Sequence, residues 1–155
     1  MKPLEFAPGI WSSLMTDLYR RGGGWRESGA FLLRQAEETA PVVQGWLPYD
    51  ELDPNSLKYA YVRLETYAFS RLWDICTEMK LEVVADVHTH PKGPRQSLSD
   101  RANPMISLSG HIALIIPNFA QGNVKPRDVS FNVYQGGGVW NSYFQEDAAS
   151  MIKLR

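Results

Sequence analysis

The chain has 155 residues, 44% of them hydrophobic and 21% charged, which is an ordinary balance for a globular protein. A chain of this length favours one domain, expected here over residues 1–155, and a formal net charge of −1 gives no electrostatic reason to expect a nucleic acid or an anionic membrane as partner. The N-terminus lacks the apolar stretch of a signal peptide, and the longest strongly apolar run, Ile112 to Ile116, is too short to span a bilayer. With one cysteine, Cys76, no internal disulfide can form, and we expect a cytoplasmic protein.

Hydrophobic spacing and turn residues predict that strands and helices are interleaved along the chain. Helices are expected over 10–20, 66–80 and 146–153, with a short one starting near Ser97. Strands are expected over 25–34, 42–47, 81–88, 111–117 and 129–134. On the second helix, the residues expected on the buried side are Phe69, Leu72, Trp73, Cys76 and Met79. This order predicts an α/β (α+β) fold in which helices flank a mixed central sheet.

The segment most indicative of chemistry is Asp86-Val87-His88-Thr89-His90-Pro91. Residues i and i+2 of a strand point to the same side, about 6–7 Å apart along the chain, so His88 and His90 can reach one metal ion. Proline ends the strand, and the next helix starts near Ser97, which puts Asp100 in its first turn. Two imidazoles, one carboxylate and an open position for water are typical of catalytic zinc. The sequence therefore predicts one zinc ion per chain, held by His88, His90 and Asp100, with water as the fourth ligand.

Other interpretations of these residues remain open. Ser97-x-x-Asp100 also matches a capping box, in which both side chains tie down the start of a helix, and this role is compatible with metal binding. Asp86 shares the face of the histidines, where it can orient a ligand imidazole or pair with a buried polar group. His111 begins a strand and has no evident motif partner, and Cys76 lies on the apolar face of a helix, which favours the core over a nucleophile.

His88-Thr89-His90-Pro91 and Ser97-x-x-Asp100, preceded by Glu27 ahead of small and apolar residues, resemble the motif of the JAMM (MPN-plus, JAB) zinc metalloproteases. The resemblance extends over most of the chain and is especially close to small prokaryotic JAB proteins. Some of those are encoded beside E1- and E2-like enzymes in anti-phage or ubiquitin-like conjugation systems. The resemblance implies a single MPN/JAB-type domain with an architecture like that of cytidine deaminases.

The resemblance also implies a role for each matched residue. His88, His90 and Asp100 would hold the zinc ion, Glu27 would act as general base and then as general acid, and Ser97 would donate to the oxyanion of the tetrahedral intermediate. The implied substrates are a ubiquitin-like protein and its conjugates, cut after the C-terminal glycine either to release that protein from a lysine or to trim a precursor. E1- and E2-like enzymes of the same system are the further partners that it implies.

Two other functions are alternatives to this isopeptidase activity. A catalytically silent MPN-type scaffold would bind partners, but such scaffolds typically lack one or more metal ligands, and this sequence keeps them all. A zinc peptidase that trims a sulfur-carrier protein of the ubiquitin fold would share the chemistry and differ in its substrate. A further alternative places residues 48–62 beside the cleft, where the tail of a ubiquitin-like protein would add as a strand.

Overall fold

The computed structural model of the protein describes residues 1–58 and 61–155. A six-stranded sheet with the order β4-β2-β5-β6-β7-β8 lies at its centre. Its strands are β2 (Gly29–Gln35), β4 (Gly45–Pro48), β5 (Leu81–Thr89), β6 (Ile112–Ile116), β7 (Ser130–Gly136) and β8 (Val139–Tyr143). Strands β5 and β6 run parallel, whereas the other neighbouring pairs are antiparallel. The expected mixed sheet is therefore confirmed.

Among the described residues, a second, smaller sheet and five α-helices accompany the central sheet. In the second sheet, β1 (Leu4–Phe6) lies between β3 (Val42–Val43) and β9 (Ile152–Leu154), and both pairings are parallel. The helices are α1 (Ile10–Gly22), α2 (Tyr49–Leu52), α3 (Thr66–Met79), α4 (Leu98–Ala102) and α5 (Gln145–Ser150). Over residues 1–58 and 61–155, none of the helices has both the length and the apolar character that crossing a bilayer requires.

Apolar cores cover both faces of the central sheet. Because successive strand residues point to opposite faces, Leu32 packs into the core formed with α1 and β1, whereas Phe31 packs into the core formed with α2 and α3. The same alternation at the end of β5 sends Val87 into the α1 core. Asp86 and His88 face the α3 side, where they line a common cleft. The strand pattern thus presents polar groups on one face without disturbing the core on the other.

The buried side of α3 is narrower than its sequence predicts. Leu72 and Cys76 are buried as expected, but Trp73 and Met79 are 46% and 64% exposed, so their predicted burial is wrong. The buried residues Ala68, Leu72 and Cys76 repeat every four positions, and the two exposed residues project beside this stripe.

Several predicted boundaries also differ from the structure. The first long strand starts at Gly29 rather than at residue 25, and the strand over 42–47 is divided into β3 and β4. The predicted terminal helix ends at Ser150 and is followed by β9, which pairs with β1. Strands β1 and β9 have three residues each, too few to show a recognisable alternation in the sequence.

Candidate metal centre

The two histidines project from the carboxyl end of β5. His88 is opposite Gly29 of β2 on one side and Ile115 of β6 on the other, so the strand is fixed by both neighbours. Thr89 points the other way and accepts a hydrogen bond through Oγ1 from the Ser28 N–H at 2.9 Å. Its own N–H donates to the Ser28 carbonyl, also at 2.9 Å. These two hydrogen bonds between Thr89 and Ser28 place the adjoining Glu27 next to the histidines.

The ring nitrogens of the two histidines and the carboxylate oxygens of Asp100 lie close together. The Nε2 atoms of His88 and His90 are 3.1 Å apart, Oδ2 of Asp100 is 3.0 Å from Nε2 of His90, and Oδ1 of Asp100 is 3.4 Å from Nε2 of His88. Ligand atoms bound tetrahedrally to one zinc ion at 2.0–2.1 Å would be separated by about 3.3 Å. Two neutral imidazoles with their lone pairs directed at each other repel unless a cation or a proton lies between them. The spacing and the donor types therefore fit one zinc ion.

Glu27 belongs to the same cluster. Its carboxylate and the ring nitrogens of His88 and His90 all lie within 4.8 Å of one another, so these three residues could hold a metal ion. Burial raises the pKa of Glu27 above its ordinary value, although electrostatic interaction with the neighbouring histidine rings partly opposes the shift. A carboxyl group with a raised pKa can exchange a proton closer to neutral pH than an exposed one. The structure thus brings together Glu27 and all three predicted ligands.

Asp100 is held in place by the start of α4. Its N–H donates to Ser97 Oγ at 3.0 Å and its Oδ2 accepts from the Ser97 N–H at 2.9 Å, so the capping box is present. Burial favours a higher pKa for Asp100, but hydrogen bonds with His88 and His90 outweigh it and hold that pKa well below the usual range. For His88, burial favours a lower pKa, and the hydrogen bond to Asp100 outweighs it and raises the pKa. Because Ser97 Oγ acts as an acceptor in the cap, its proton remains available to another acceptor.

The loop between His90 and Ser97 is anchored at three points. Ser130 Oγ donates to the Pro94 carbonyl at 2.6 Å. The N–H of Asn118 donates to the Lys92 carbonyl at 3.0 Å, and the N–H of Phe119 donates to the His90 carbonyl at 2.9 Å. These bonds tie the loop to the residues that follow β6 and to β7. The positions of His90 and Ser97 are therefore set by the central sheet as well as by the local sequence.

A buried pair that sequence analysis missed lies beneath the histidines. Nε2 of His111 is 2.6 Å from Oδ2 of Asp86, and their side chains are 6% and 3% exposed. His111 therefore has a partner, although the sequence motif names none. Two roles were open for Asp86, and the structure shows the pairing with a buried polar group. Asp86 is in register with Ala113 on the parallel strand β6, which brings His111 close. Only the pairing of β5 with β6 could have indicated this contact.

A cleft of about 440 Å³ adjoins the candidate ligand atoms of His88 and Asp100. It is bordered by His88 and Asp100 and by side chains from the segment before α3, which include Tyr61 and Val62. Residues 61 and 62 therefore lie beside the cleft, as the alternative for residues 48–62 predicts. Tyr49, near the start of that segment, is instead buried in the core beside α3. Residues 59 and 60 lie outside the described residues.

Comparison with known proteins gives a fold relationship. No family model matches the sequence. The solution structure of protein DSY2949 from Desulfitobacterium hafniense is similar, with a TM-score of 0.63 over 97% of this chain and 92% of that chain, at 13% sequence identity. At this level of identity the similarity shows a shared fold and carries no assignment of activity.

Proposed function

We propose that the protein is a zinc-dependent metallopeptidase of the JAMM type, built on an MPN/JAB-type domain with a cytidine deaminase-like architecture. One observation supports the proposal above all others. Ring nitrogens of His88 and His90 and the carboxylate of Asp100 lie 3.0–3.4 Å apart, with Glu27 beside them. A structural zinc site would be closed by a fourth protein ligand, whereas a catalytic site keeps a position open and a base nearby.

The proposed mechanism assigns one task to each residue. Zinc held by His88, His90 and Asp100 would supply a Lewis acid and an acidified water. Glu27 takes the proton of the attacking water on its carboxylate and delivers it to the nitrogen of the leaving amine, a task suited to its raised pKa. Ser97 directs its free Oγ–H to the carbonyl oxygen that becomes negative. The capping box keeps this hydroxyl and Asp100 in a fixed relation.

The proposed substrate is a ubiquitin-like protein that is cleaved after its C-terminal glycine, either from a lysine of a conjugate or from a precursor. This choice is supported by the full set of Glu27, His88, His90, Ser97 and Asp100, which matches the motif of the isopeptidase family. Cytoplasmic location and a functional link to E1- and E2-like enzymes belong to the same proposal.

Substitution of Glu27 tests the assignment of the base. We expect Glu27→Gln to keep one zinc ion per chain and to lower kcat by about 10²- to 10⁴-fold, the usual contribution of general acid–base catalysis. The assay uses zinc-loaded protein with ubiquitin-like proteins fused to linear extensions or joined to lysine. Glu78→Gln, at an exposed carboxylate on α3, is the matched control and should be unaffected.

Each outcome of this assay has a distinct meaning. A Glu27→Gln variant with wild-type activity would show that Glu27 is not the base, and a variant that loses zinc would make Glu27 a ligand. Cleavage of linear extensions alone would favour trimming of a precursor, such as a sulfur carrier of the ubiquitin fold. A zinc-loaded wild type that binds these proteins without cleaving them would support the scaffold.

A further inference from the structure

The helix that carries Asp100 is not held by buried side chains of its own. Helix α4 has five residues, and none of these described residues is buried, with Leu98 as much as 88% exposed. The capping box joins Asp100 to Ser97, so it fixes the start of the helix internally and does not fix the helix against the sheet. Because a functional side chain must be held within about 0.5 Å of its working position, contacts from outside α4 have to place Asp100 against the histidines.

The indole of Trp140, on β8, makes such a contact. Its Nε1–H donates to the carbonyl oxygen of Arg101 at 3.0 Å, across 39 positions of the chain. Arg101 directly follows Asp100 and lies in the last turn of α4, where carbonyl groups lack a partner within the helix. The bond therefore satisfies a helix-terminal acceptor and ties the backbone beside Asp100 to β8.

Trp140 is itself held by the central sheet. Its ring is 7% exposed and packs in a small cluster with Ala113 of β6 and Tyr134 of β7. The centroids of the Trp140 and Tyr134 rings are 4.9 Å apart. The Tyr134 hydroxyl accepts a hydrogen bond from the Gly138 N–H at 3.0 Å, which closes the turn between β7 and β8. Because β6 also pairs with β5, the indole and the two histidines are supported by the same sheet.

We propose that Trp140 is a positioning residue of the metal centre, whose indole N–H holds α4 so that Asp100 stays within reach of a zinc ion bound by His88 and His90. The inference rests on the zinc site of the proposed function and adds to it a residue from the edge of the sheet. Since Trp140 acts through the backbone of α4, loss of its N–H weakens zinc binding beyond any effect on the fold.

Trp140→Phe keeps an aromatic ring and removes the donor, and Trp11→Phe is its matched control. The Trp11 indole is also 7% exposed and donates to the Val124 carbonyl at 2.9 Å, but it packs in the core on the other face of the sheet. Each variant loses one buried hydrogen bond, so thermal unfolding of the two zinc-free proteins should shift by similar amounts.

Zinc affinity separates positioning from a structural role. In competition with a chelator, we expect the dissociation constant for zinc to rise about 10-fold in Trp140→Phe, the lower end of the range for groups that orient metal ligands. In Trp11→Phe it should stay within about twofold of wild type.

Hydrogen exchange of the indole N–H groups gives a second test, on the wild type alone. If breaking the bond to Arg101 weakens zinc binding 10-fold, linkage requires bound zinc to make the broken state rarer by the same factor. We therefore expect zinc to slow exchange of the Trp140 Nε1–H by up to about 10-fold, as followed by nuclear magnetic resonance. The Nε1–H of Trp46, which donates to Asp17 at 2.9 Å, is the control and should be slowed less than twofold. This measurement decides the question if Trp140→Phe does not fold.

Failure of this inference can be distinguished from failure of the metal centre. If wild type binds zinc and Trp140→Phe binds it as tightly as Trp11→Phe does, Trp140 is a structural residue and the inference is wrong. Equal slowing of the Trp140 and Trp46 indoles by zinc would overturn it as well. If wild type takes up no zinc when zinc is offered, the proposed function is lost together with the inference.

Discussion

The Ser97 hydroxyl illustrates at the residue scale how one side chain serves structure and chemistry together. Its oxygen accepts the capping bond from Asp100, and its proton is free. We expect Ser97→Ala to lower the free energy of unfolding by about 1 kcal/mol, the usual value of an N-cap. Loss of an oxyanion donor should also lower kcat by about 10²- to 10³-fold. Chemical denaturation and steady-state kinetics measure the two effects separately, and a loss of stability with unchanged kcat would leave Ser97 as a cap alone.

Asp17 on α1 makes the stability of the fold depend on pH. It accepts hydrogen bonds from Arg20, Arg21 and the indole N–H of Trp46. Burial acts to raise its pKa, but these bonds outweigh burial and lower it. A depressed pKa means that the stabilisation is complete above the unfolded pKa of about 3.9 and is lost as the pH falls through the native value.

We therefore expect Asp17→Asn to reduce the free energy of unfolding by about 1–3 kcal/mol at pH 7, as for hydrogen bonds to a charged group. The difference from wild type should stay constant between pH 7 and pH 5 and shrink below pH 4. Urea denaturation at these pH values measures it. A difference that grows on acidification would contradict this assignment.

Individual residues also show which parts of the candidate site are accessible to sequence analysis. The two histidines are two positions apart, and Ser97 and Asp100 are three apart, so local periodicity is enough to predict that each pair shares one side. The contact between Asp86 and His111 spans 25 positions and depends on the register of two parallel strands. The motif contains no information about that register.

At the scale of elements, β2 can pass close to α2 only because residue 29 is glycine. A Cβ at this position would overlap the Tyr49 ring and lie 2.6 Å from the Val87 carbonyl oxygen. We expect Gly29→Ala to destabilise the protein by about 1–3 kcal/mol, as overpacking does, and to weaken zinc binding by displacing β5 at the proposed ligand His88, which is opposite Gly29.

Gly45→Ala is the matched control for this prediction, because a Cβ at Gly45 of β4 would meet no atom within 4 Å. Thermal unfolding of both variants, with and without zinc, gives the comparison. Equal stability of the two variants would show that the close approach of Tyr49 to β2 does not constrain this region.

Strong periodicity explains which elements the sequence predicts well. Helix α3 and strands β5 and β6 are found within one or two residues of their predicted ends, because each combines apolar spacing with a clear stop. Strands β1 and β9 are short and become strands through parallel pairing with each other, so their sequences alone do not predict them. The exposure of Trp73 likewise depends on how α3 is rotated against the sheet.

At the scale of the whole molecule, the candidate metal centre forms where three distant parts of the chain meet. Glu27 precedes β2, the histidines end β5, and Asp100 lies in α4 within the connection from β5 to β6. Because β5 and β6 are parallel, the chain must cross over between them, and this crossover brings α4 back to the carboxyl end of β5. The topology thus converts a local motif into a four-residue cluster.

Metal content measured by mass spectrometry on the purified protein and on Asp100→Ala tests the central claim most directly, because it needs no knowledge of the substrate. We expect about one zinc ion per wild-type chain and its loss from the variant, with Ser99→Ala, at an exposed neighbour of Asp100, as a control that keeps zinc. A wild type that takes up no metal when zinc is offered, or an Asp100→Ala variant that retains zinc fully, would show that these residues do not form a zinc site.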